Sequence, residues 1–392
     1  MSLNKSSCYL ISAGEFSGDL LAAELVKSLR KIREDLKPYG IVGETMRHEG
    51  VEPLAGIEEL SVMGIVEVAR RIADIRMLEQ RILAWVDRMN PQFAVLVDFP
   101  GFHFRLAEQL HLRGVPVYQY VAPKVWAWGQ KRVALLRDHF KAVLGVLPFE
   151  EDFFLRHGVN YHYVGSPHYD RMRGLRVDSA ALGIPQSKNF YAFLPGSRMS
   201  ELRGILPVMQ RIRKELSRMD QEALCVIPLA PGLEWSAVKG ILGDVEERYL
   251  AEDRWEAGGF LWIRGHSLEV MKGAQSAVVA SGTATLECAL AGTPMAVIYV
   301  MNDLSYAIAK RAVSLRWVSL VNLLMNREVV REFIQAIDPL KVAREVFDLA
   351  RGTEQRARMV ADFAELNQKL LPGGSDNAAA YIVNDSFGGG SS

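Results

Sequence analysis

Three short stretches of this chain carry side chains whose types and spacing could do chemistry. The turn Ser281-Gly282-Thr283, with Thr285 just beyond it, lies between the apolar run "AQSAVVA" and the helix-forming "TATLECALA". A helix N-terminus offers free N–H groups and a partial positive charge, which suit a phosphate. The same residues also describe a capped helix with no ligand. "PGSR" sets Ser197 and Arg198 behind Gly196. There a guanidinium would grip a phosphate with two hydrogen bonds while a glycine lets the backbone come close; a salt bridge across a turn is the other reading. Asp98 closes the apolar run "FAVLV" just ahead of Pro100. A carboxylate at a strand end, partly desolvated, has its pKa raised toward that of a general base, although an Asp before a proline also shapes turns. Glu15, in the glycine-containing turn "AGEFSGD", is a second candidate base or else a helix-capping carboxylate. No Asp-x-Asp pair occurs, so a divalent-metal clamp has no evident ligands, and neither metal nor cofactor is expected.

These side chains need elements to hold them. The stretch 280–301 has a single charge, Glu287, and is long enough to cross a bilayer. It is punctuated, however. Ser281 or Thr283 would cap a short helix, Gly292 would end it, and Pro294 follows where a helix cannot continue. With "AQSAVVA" before it and "MAVIYV" after, the stretch is expected to be a soluble βαβ unit. The rest of the chain repeats that style. "CYLISAG", "FAVLVDFP", "VPVYQYVAP", "HFKAVLGVLPFE" and "NYHYVGSP" alternate with helical patterns in the first half; "FYAFLPGSR", "LCVIPLA", "FLWIRG", "SAVVASG" and "MAVIYV" do so in the second. Two such runs predict an α/β fold of two Rossmann-like domains facing each other across a cleft. The expected domains span 1–170 and 187–355, with a C-terminal helix near 360–386 packing back on the first. The candidate residues fall at expected strand C-termini, where open α/β sheets bind ligands.

Composition narrows the function. The chain has 392 residues, too many for one ordinary core, and 46 basic residues balance 46 acidic ones. Net charge therefore gives no argument for nucleic acid. Three dispersed cysteines suggest a reducing compartment without a disulfide framework or structural zinc. The N-terminal apolar run is too short for a secretory signal.

Taken together, the motifs "SAGEFSGD" (12–19), "ELSVMGIVEV" (59–68), "VDFPGFHFRL" (97–106), "YVAPKVWAWGQKRV" (120–133), "LPFE" (147–150), "LPGSRMSE" (194–201), "ASGTATLECALAGTPM" (280–295) and "SLVNLLMNREVVREFIQ" (319–335) resemble the lipid-A-disaccharide synthases, nearly end to end. The resemblance implies a GT-B glycosyltransferase. Such an enzyme joins UDP-2,3-diacylglucosamine to 2,3-diacylglucosamine 1-phosphate through a β-1,6 linkage, with inversion, release of UDP and no metal. It also implies a peripheral protein on the cytoplasmic face of a Gram-negative inner membrane, dimeric in some members. The chain departs from the family pattern at Gly101 and His103, at Ser166, and at Val321. The first two departures fall at expected strand ends near the cleft, with consequences expected for acceptor contacts or acyl preference rather than for the reaction.

Within that resemblance the residues take roles. Asp98, or Glu15, would take the proton of the acceptor hydroxyl. His103, close to Asp98 in sequence, is a further possible base, although a lone His is more often structural. Ser17, Gly18 and Asp19 would shape a loop around the acceptor or donor sugar. Gly196, Ser197, Arg198, Ser281, Gly282, Thr283 and Thr285 would hold the UDP diphosphate. Glu287 would accept hydrogen bonds from ribose, or simply favour a helix N-terminus. Asn322 would lie near the nucleotide. Glu328, Glu332 and Gln335, at helical spacing, would either contact it or bridge helices. Trp126 and Trp128 would line an acyl or sugar surface, or pack a loop. Val62, Met63, Ile65 and Val66, followed by Arg70, Arg71 and Arg76, would enter the interface of an anionic membrane, or form an ordinary amphipathic helix packed on its own domain.

Overall fold

A computed structural model describes residues 7–60, 68–126, 129–177, 182–185, 188–300 and 316–388, with backbone alone at 68–72. The chain divides at Pro167/His168 and again at Leu370/Leu371. Residues up to Pro167, together with those from Leu371, form one unit; His168–Leu370 forms the other.

The first unit is built on β1 (Cys8–Ala13), β2 (Lys37–Val42), β3 (Glu52–Gly56), β4 (Ala94–Val97), β5 (Val117–Tyr120), β6 (Ala142–Gly145) and β7 (Tyr161–Tyr163). All seven run parallel, in the order β3-β2-β1-β4-β5-β6-β7. The inner strands β1, β4, β5 and β6 are buried along their whole length. That burial on both faces is why they read as unbroken apolar runs rather than as alternating ones. The order reverses between β1 and β4, so the turns after these two strands flank a topological switch point.

The C-terminal helix Gly374–Phe387 closes this unit. Ser28 Oγ donates to Asp376 Oδ1 at 2.6 Å, Tyr118 Oη to Asp385 Oδ2 at 2.6 Å, and Asn377 Nδ2 to the Val164 carbonyl at 2.8 Å. Residues 360–386 are not one helix. Helix Glu354–Gln368 ends before Pro372, and a second helix starts at Gly374 after Gly373, whose φ is +82°.

The second unit carries β8 (Phe190–Leu194), β9 (Leu224–Leu229), β10 (Glu247–Ala251), β11 (Arg254–Ala257), β12 (Phe260–Arg264), β13 (Ser276–Ala280), β14 (Met295–Tyr299) and β15 (Arg331–Ile334). Their order is β10-β11-β12-β9-β8-β13-β14-β15. Six are parallel; the hairpin-linked β10 and β11 add an antiparallel edge. The switch point here lies between β8 and β13. The stretch that opens at Ala280 is the expected βαβ unit: β13, helix Thr283–Ala291 ended by Gly292 at φ +75°, then β14. Among the described residues no helix is long and apolar enough to cross a membrane.

Candidate active site

In the first unit the candidate carboxylates lie on the two turns beside the switch point. Glu15 follows β1 and precedes helix Phe16–Ile32; its side chain makes no capping bond to that helix. Asp98 follows β4, and Ala13 and Val97 are register partners. A Cβ on Gly14 would lie 2.1 Å from Phe99 Cγ, so the absence of a side chain at Gly14 lets the Phe99 ring cover the β1 turn. Asp98 and Phe99 both adopt φ of +50°, a left-handed conformation that L-residues visit at a cost. Asp98 is partly exposed. Its N–H donates to the Tyr120 carbonyl at 3.1 Å.

His103, on helix Pro100–Leu112, is fully buried. Its Nδ1 lies 2.7 Å from the Asp98 carbonyl oxygen and its Nε2 lies 2.8 Å from Ser12 Oγ. A carbonyl only accepts, so Nδ1 carries the proton and Nε2 accepts from Ser12. Burial pushes the His103 pKa down to about 4, against the opposing pull of its hydrogen bond to the Asp98 backbone. A neutral, enclosed ring with both nitrogens engaged is not placed to take a proton from a substrate.

Asp19 is also withdrawn from any substrate loop. Fully buried, its carboxylate accepts the backbone N–H of Gly43 at 2.7 Å, Thr45 at 2.9 Å and Met46 at 3.3 Å, and so holds the start of helix Glu44–His48. Gly18 is buried near the Val97 carbonyl, while Ser17 is exposed.

In the second unit the "PGSR" and "SGT" turns leave neighbouring strands, β8 and β13, at its switch point. Gly196 has φ +107°, and a Cβ there would lie 2.2 Å from Glu201 Oε2. Sequence reasoning gave Glu201 no role. Its Oε2 accepts the N–H groups of Ser197 at 3.1 Å and Arg198 at 3.3 Å, and its Oε1 pairs with Arg198 Nη1 at 3.3 Å. The reach back from the third helical position is the only sequence signal it had.

No side chain caps helix Thr283–Ala291; its N-cap is Gly282. Ser281 Oγ donates instead to the Val318 carbonyl at 2.8 Å. Thr285, buried, donates to the Gly282 carbonyl at 2.8 Å and accepts the Leu320 N–H at 3.3 Å. Thr283 is exposed. Glu287 is held by His168, which the sequence did not single out: His168 Nδ1 lies 2.9 Å from Glu287 Oε1 and 2.9 Å from Arg171 Nη2. One ring nitrogen cannot serve both. A proton shared with the carboxylate is favoured, with Arg171 supplying nearby charge. Burial raises the Glu287 pKa, but the His168 hydrogen bond and the charges of His168 and Arg171 outweigh it, so the net shift is downward.

Asn322 does not face outward. Its Oδ1 accepts the N–H groups of Val329 at 2.7 Å and Val330 at 3.0 Å, while its Nδ2 donates to the Val330 carbonyl at 2.8 Å and to Glu332 Oε1 at 2.9 Å. Glu332 also accepts the N–H groups of Val318 and Ser319. Glu328, Glu332 and Gln335 share no helix face. Helix Leu320–Met325 stops at Asn326, whose φ is +52°, and Glu332 lies on β15, which pairs with β14. Glu328 is exposed in the intervening turn, and Gln335, at φ +64°, donates its N–H to the Tyr299 carbonyl after the strand.

Val62, Met63, Ile65 and Val66 lie outside the described residues, as does Trp128. The side chains of Arg70 and Arg71 are likewise not described; Arg76 is exposed on helix Val68–Met89.

Residues 9–383 match the lipid-A-disaccharide synthetase family. The chain belongs to that family. It is 37% identical over 380 residues to the lipid-A-disaccharide synthase of Myxococcus xanthus, covering 95% of this chain and 96% of that protein. It is 33% identical over 385 residues to the synthase of Nitrosococcus oceani, with 97% and 96% covered. Solved structures share the fold at low identity. The glycotransferase of kitacinnamycin superposes with a TM-score of 0.61 at 14% identity, over 97% of this chain and 99% of that one. The UDP-GlcNAc 2-epimerase from Neisseria meningitidis, bound to UDP-GlcNAc, gives 0.61 at 11%, over 96% and 98%. The fold is thus the GT-B arrangement of two Rossmann-like units.

Two motifs of this lipid-A-disaccharide synthetase family member meet at a buried acid. Trp126 Nε1 donates to Glu150 Oε1 at 2.8 Å, and Tyr161 Oη lies 3.1 Å from both Glu150 Oε2 and the Leu147 carbonyl. Trp126 therefore anchors its loop rather than standing free. Burial raises the Glu150 pKa to about 8, opposed by the Trp126 and Tyr161 hydrogen bonds and by Lys124. The folded chain thus keeps a proton on Glu150 up to about pH 8, whereas the unfolded chain loses it near the ordinary 4.5. Stability from this group must fall as pH rises across that window. Glu150→Gln has no proton to lose. It is expected to melt near the wild type at pH 5 and on the order of 5 °C higher at pH 8.5. Equal melting shifts at both pH values would contradict a protonated Glu150.

Proposed function

We propose that the protein is an inverting glycosyltransferase. It joins UDP-2,3-diacylglucosamine to 2,3-diacylglucosamine 1-phosphate, giving the β-1,6 disaccharide 1-phosphate and UDP. The observation that carries the proposal is the placement of the family's motif turns. Each unit brings its own pair to the strand-end switch point of its sheet: Glu15 and Asp98 in the first, Arg198 and the Ser281–Thr283 turn in the second. Ligands of open α/β sheets bind at such points.

The chemistry follows from the groups present. The acceptor hydroxyl oxygen attacks the anomeric carbon as the bond from that carbon to UDP breaks, and Asp98 takes the hydroxyl proton. Negative charge grows on the departing diphosphate. The uncapped N-terminus of helix Thr283–Ala291 and the Arg198 guanidinium are the positive groups offered to it. The Arg198 pair with Glu201 is exposed, and exposed pairs are weak, so that pair does not keep the guanidinium from a diphosphate. Glu287, with one oxygen held by His168, keeps the other for ribose hydroxyls. Asn322 and Glu332 act behind these groups, holding the chain that backs the donor turn. The acyl chains of both substrates favour a protein that works at the cytoplasmic surface of the inner membrane.

The test is UDP release from UDP-2,3-diacylglucosamine with and without the acylated acceptor phosphate. Release that requires the acceptor, with disaccharide formed, is the expected result. Release without acceptor would mean a hydrolase, interconversion of the sugar nucleotide an epimerase, and UDP binding without turnover a non-catalytic protein.

A further inference from the structure

His103 engages both turns at the first unit's switch point. Through Nε2 it accepts from Ser12, on β1 three residues before Glu15; through Nδ1–H it donates to the carbonyl of Asp98, the residue after β4. That carbonyl belongs to a left-handed Asp98–Phe99 pair, a conformation that persists only where the surroundings over-determine it. Gln119 Nε2 lies 3.5 Å from the same oxygen, a longer contact than its 3.1 Å bond to the Val121 carbonyl. The Asp98 N–H, donating to the Tyr120 carbonyl, fixes only the other end of the residue. The 2.7 Å bond from His103 is thus a much closer tie on that carbonyl than the Gln119 contact, and Ser12 fixes the ring that makes it.

We propose that His103 is a positioning residue for the transfer reaction: its ring, anchored by Ser12, locks the left-handed turn at Asp98 and so sets the direction of the Asp98 carboxylate. The inference rests on Asp98 acting as the base. It assigns His103 a role distinct from proton transfer, since the ring is enclosed and already bonded at both nitrogens.

Amide side chains can separate the two legs of the ring. Asn at this position places an N–H near the site of Nδ1 and keeps the bond to Asp98. Gln reaches toward the site of Nε2 and loses it. In the full-length protein, His103→Gln is expected to lower kcat by about 10- to 100-fold, with KM for both substrates and Kd for UDP unchanged. His103→Asn should recover to within about threefold of wild type, and Ser12→Ala, which lets the ring turn, should lower kcat by about three- to tenfold. Combining His103→Gln with Asp98→Asn should add no loss beyond Asp98→Asn alone.

Melting temperatures identify variants that fail to fold. A merely structural histidine would give activities that follow the folded fraction, with no rescue by Asn. If His103→Gln does not fold, Ser12→Ala with full kcat overturns the proposal. If it folds and retains full kcat while Asp98→Asn is inactive, the positioning role alone is overturned. Full turnover by Asp98→Asn would remove the base, and with it this inference.

Discussion

Asp98→Asn is expected to lower kcat by about 10²- to 10⁴-fold, the usual contribution of a positioned general base, while leaving KM and UDP affinity within about threefold. The expectation is sharp because the substitution keeps the side-chain shape and removes only the charge and the basic oxygen. The bonds that shape the turn are made by the backbone of this residue: the N–H to Tyr120, and the carbonyl to His103 and Gln119. Asn adopts the left-handed conformation about as readily as Asp, so the φ of +50° is retained. Asp98→Ala is a poorer test, since a residue with no polar side chain tolerates that conformation less well and its stability would fall too. The rival is Glu15, on the adjacent turn after β1, whose carboxylate does not cap its own helix. Glu15→Gln in parallel ranks the two: the base is the residue whose amide abolishes turnover without disturbing UDP binding. Steady-state kinetics with calorimetric UDP titration decide it, and unchanged turnover in Asp98→Asn would exclude that carboxylate.

The strands that position these carboxylates were legible because burial on both faces writes a continuous apolar run. "CYLISAG", "FAVLV", "AQSAVVA" and "MAVIYV" are β1, β4, β13 and β14. Strands with a wet face or an awkward start left no such mark. β2 begins Lys37-Pro38 and contains Gly40, where a Cβ would collide with the Ile11 carbonyl; β10 is largely exposed at the sheet edge. Segment 328–335 misleads for a different reason. Its carboxylates at 328 and 332 stand one helical turn apart, but the β-branched and aromatic residues around Glu332 pair with β14, and the periodicity is accidental.

The candidate site was legible at the level of turns, not of partners. Which loop carries Asp98 or Arg198 follows from local pattern. That Asp19 binds amides at 43–46, that His103 reaches Ser12, and that His168 holds Glu287 are bonds between residues 24 to 119 positions apart. A spacing rule has no access to contacts that the tertiary fold alone creates. Polar residues were accordingly over-assigned to ligand: Asn322, Thr285 and Asp19 are buried and bonded to the protein's own backbone.

Asn322→Leu is the second large effect, and it separates support of the donor turn from contact with the donor. Leu has the same branched skeleton as Asn, in a bulkier form, but leaves the Val329 and Val330 N–H groups without their acceptor and the Val330 carbonyl and Glu332 without their donor. Orphaned buried groups cost about 1–3 kcal/mol each, part of which water recovers, so a loss of about 3 kcal/mol is expected. In a unit of this size that is a fall of about 6–12 °C in melting temperature. UDP affinity should weaken as well, through a chain of bonds rather than a lost contact. Glu332 fixes the N–H groups of Val318 and Ser319, the Val318 carbonyl takes the Ser281 hydroxyl, and the Leu320 N–H reaches Thr285. Asn322→Asp sharpens the point. It keeps an acceptor for both valine amides but sets a second carboxylate where the amide donated to Glu332 at 2.9 Å. Two carboxylates that close share a proton, so this variant is expected to be more stable at pH 5 than at pH 8. Thermal melts at the two pH values, read beside UDP titrations, check both variants. Undiminished stability in Asn322→Leu with UDP binding abolished would mean that the amide touches the nucleotide after all, and that the buried arrangement is not the one that binds it.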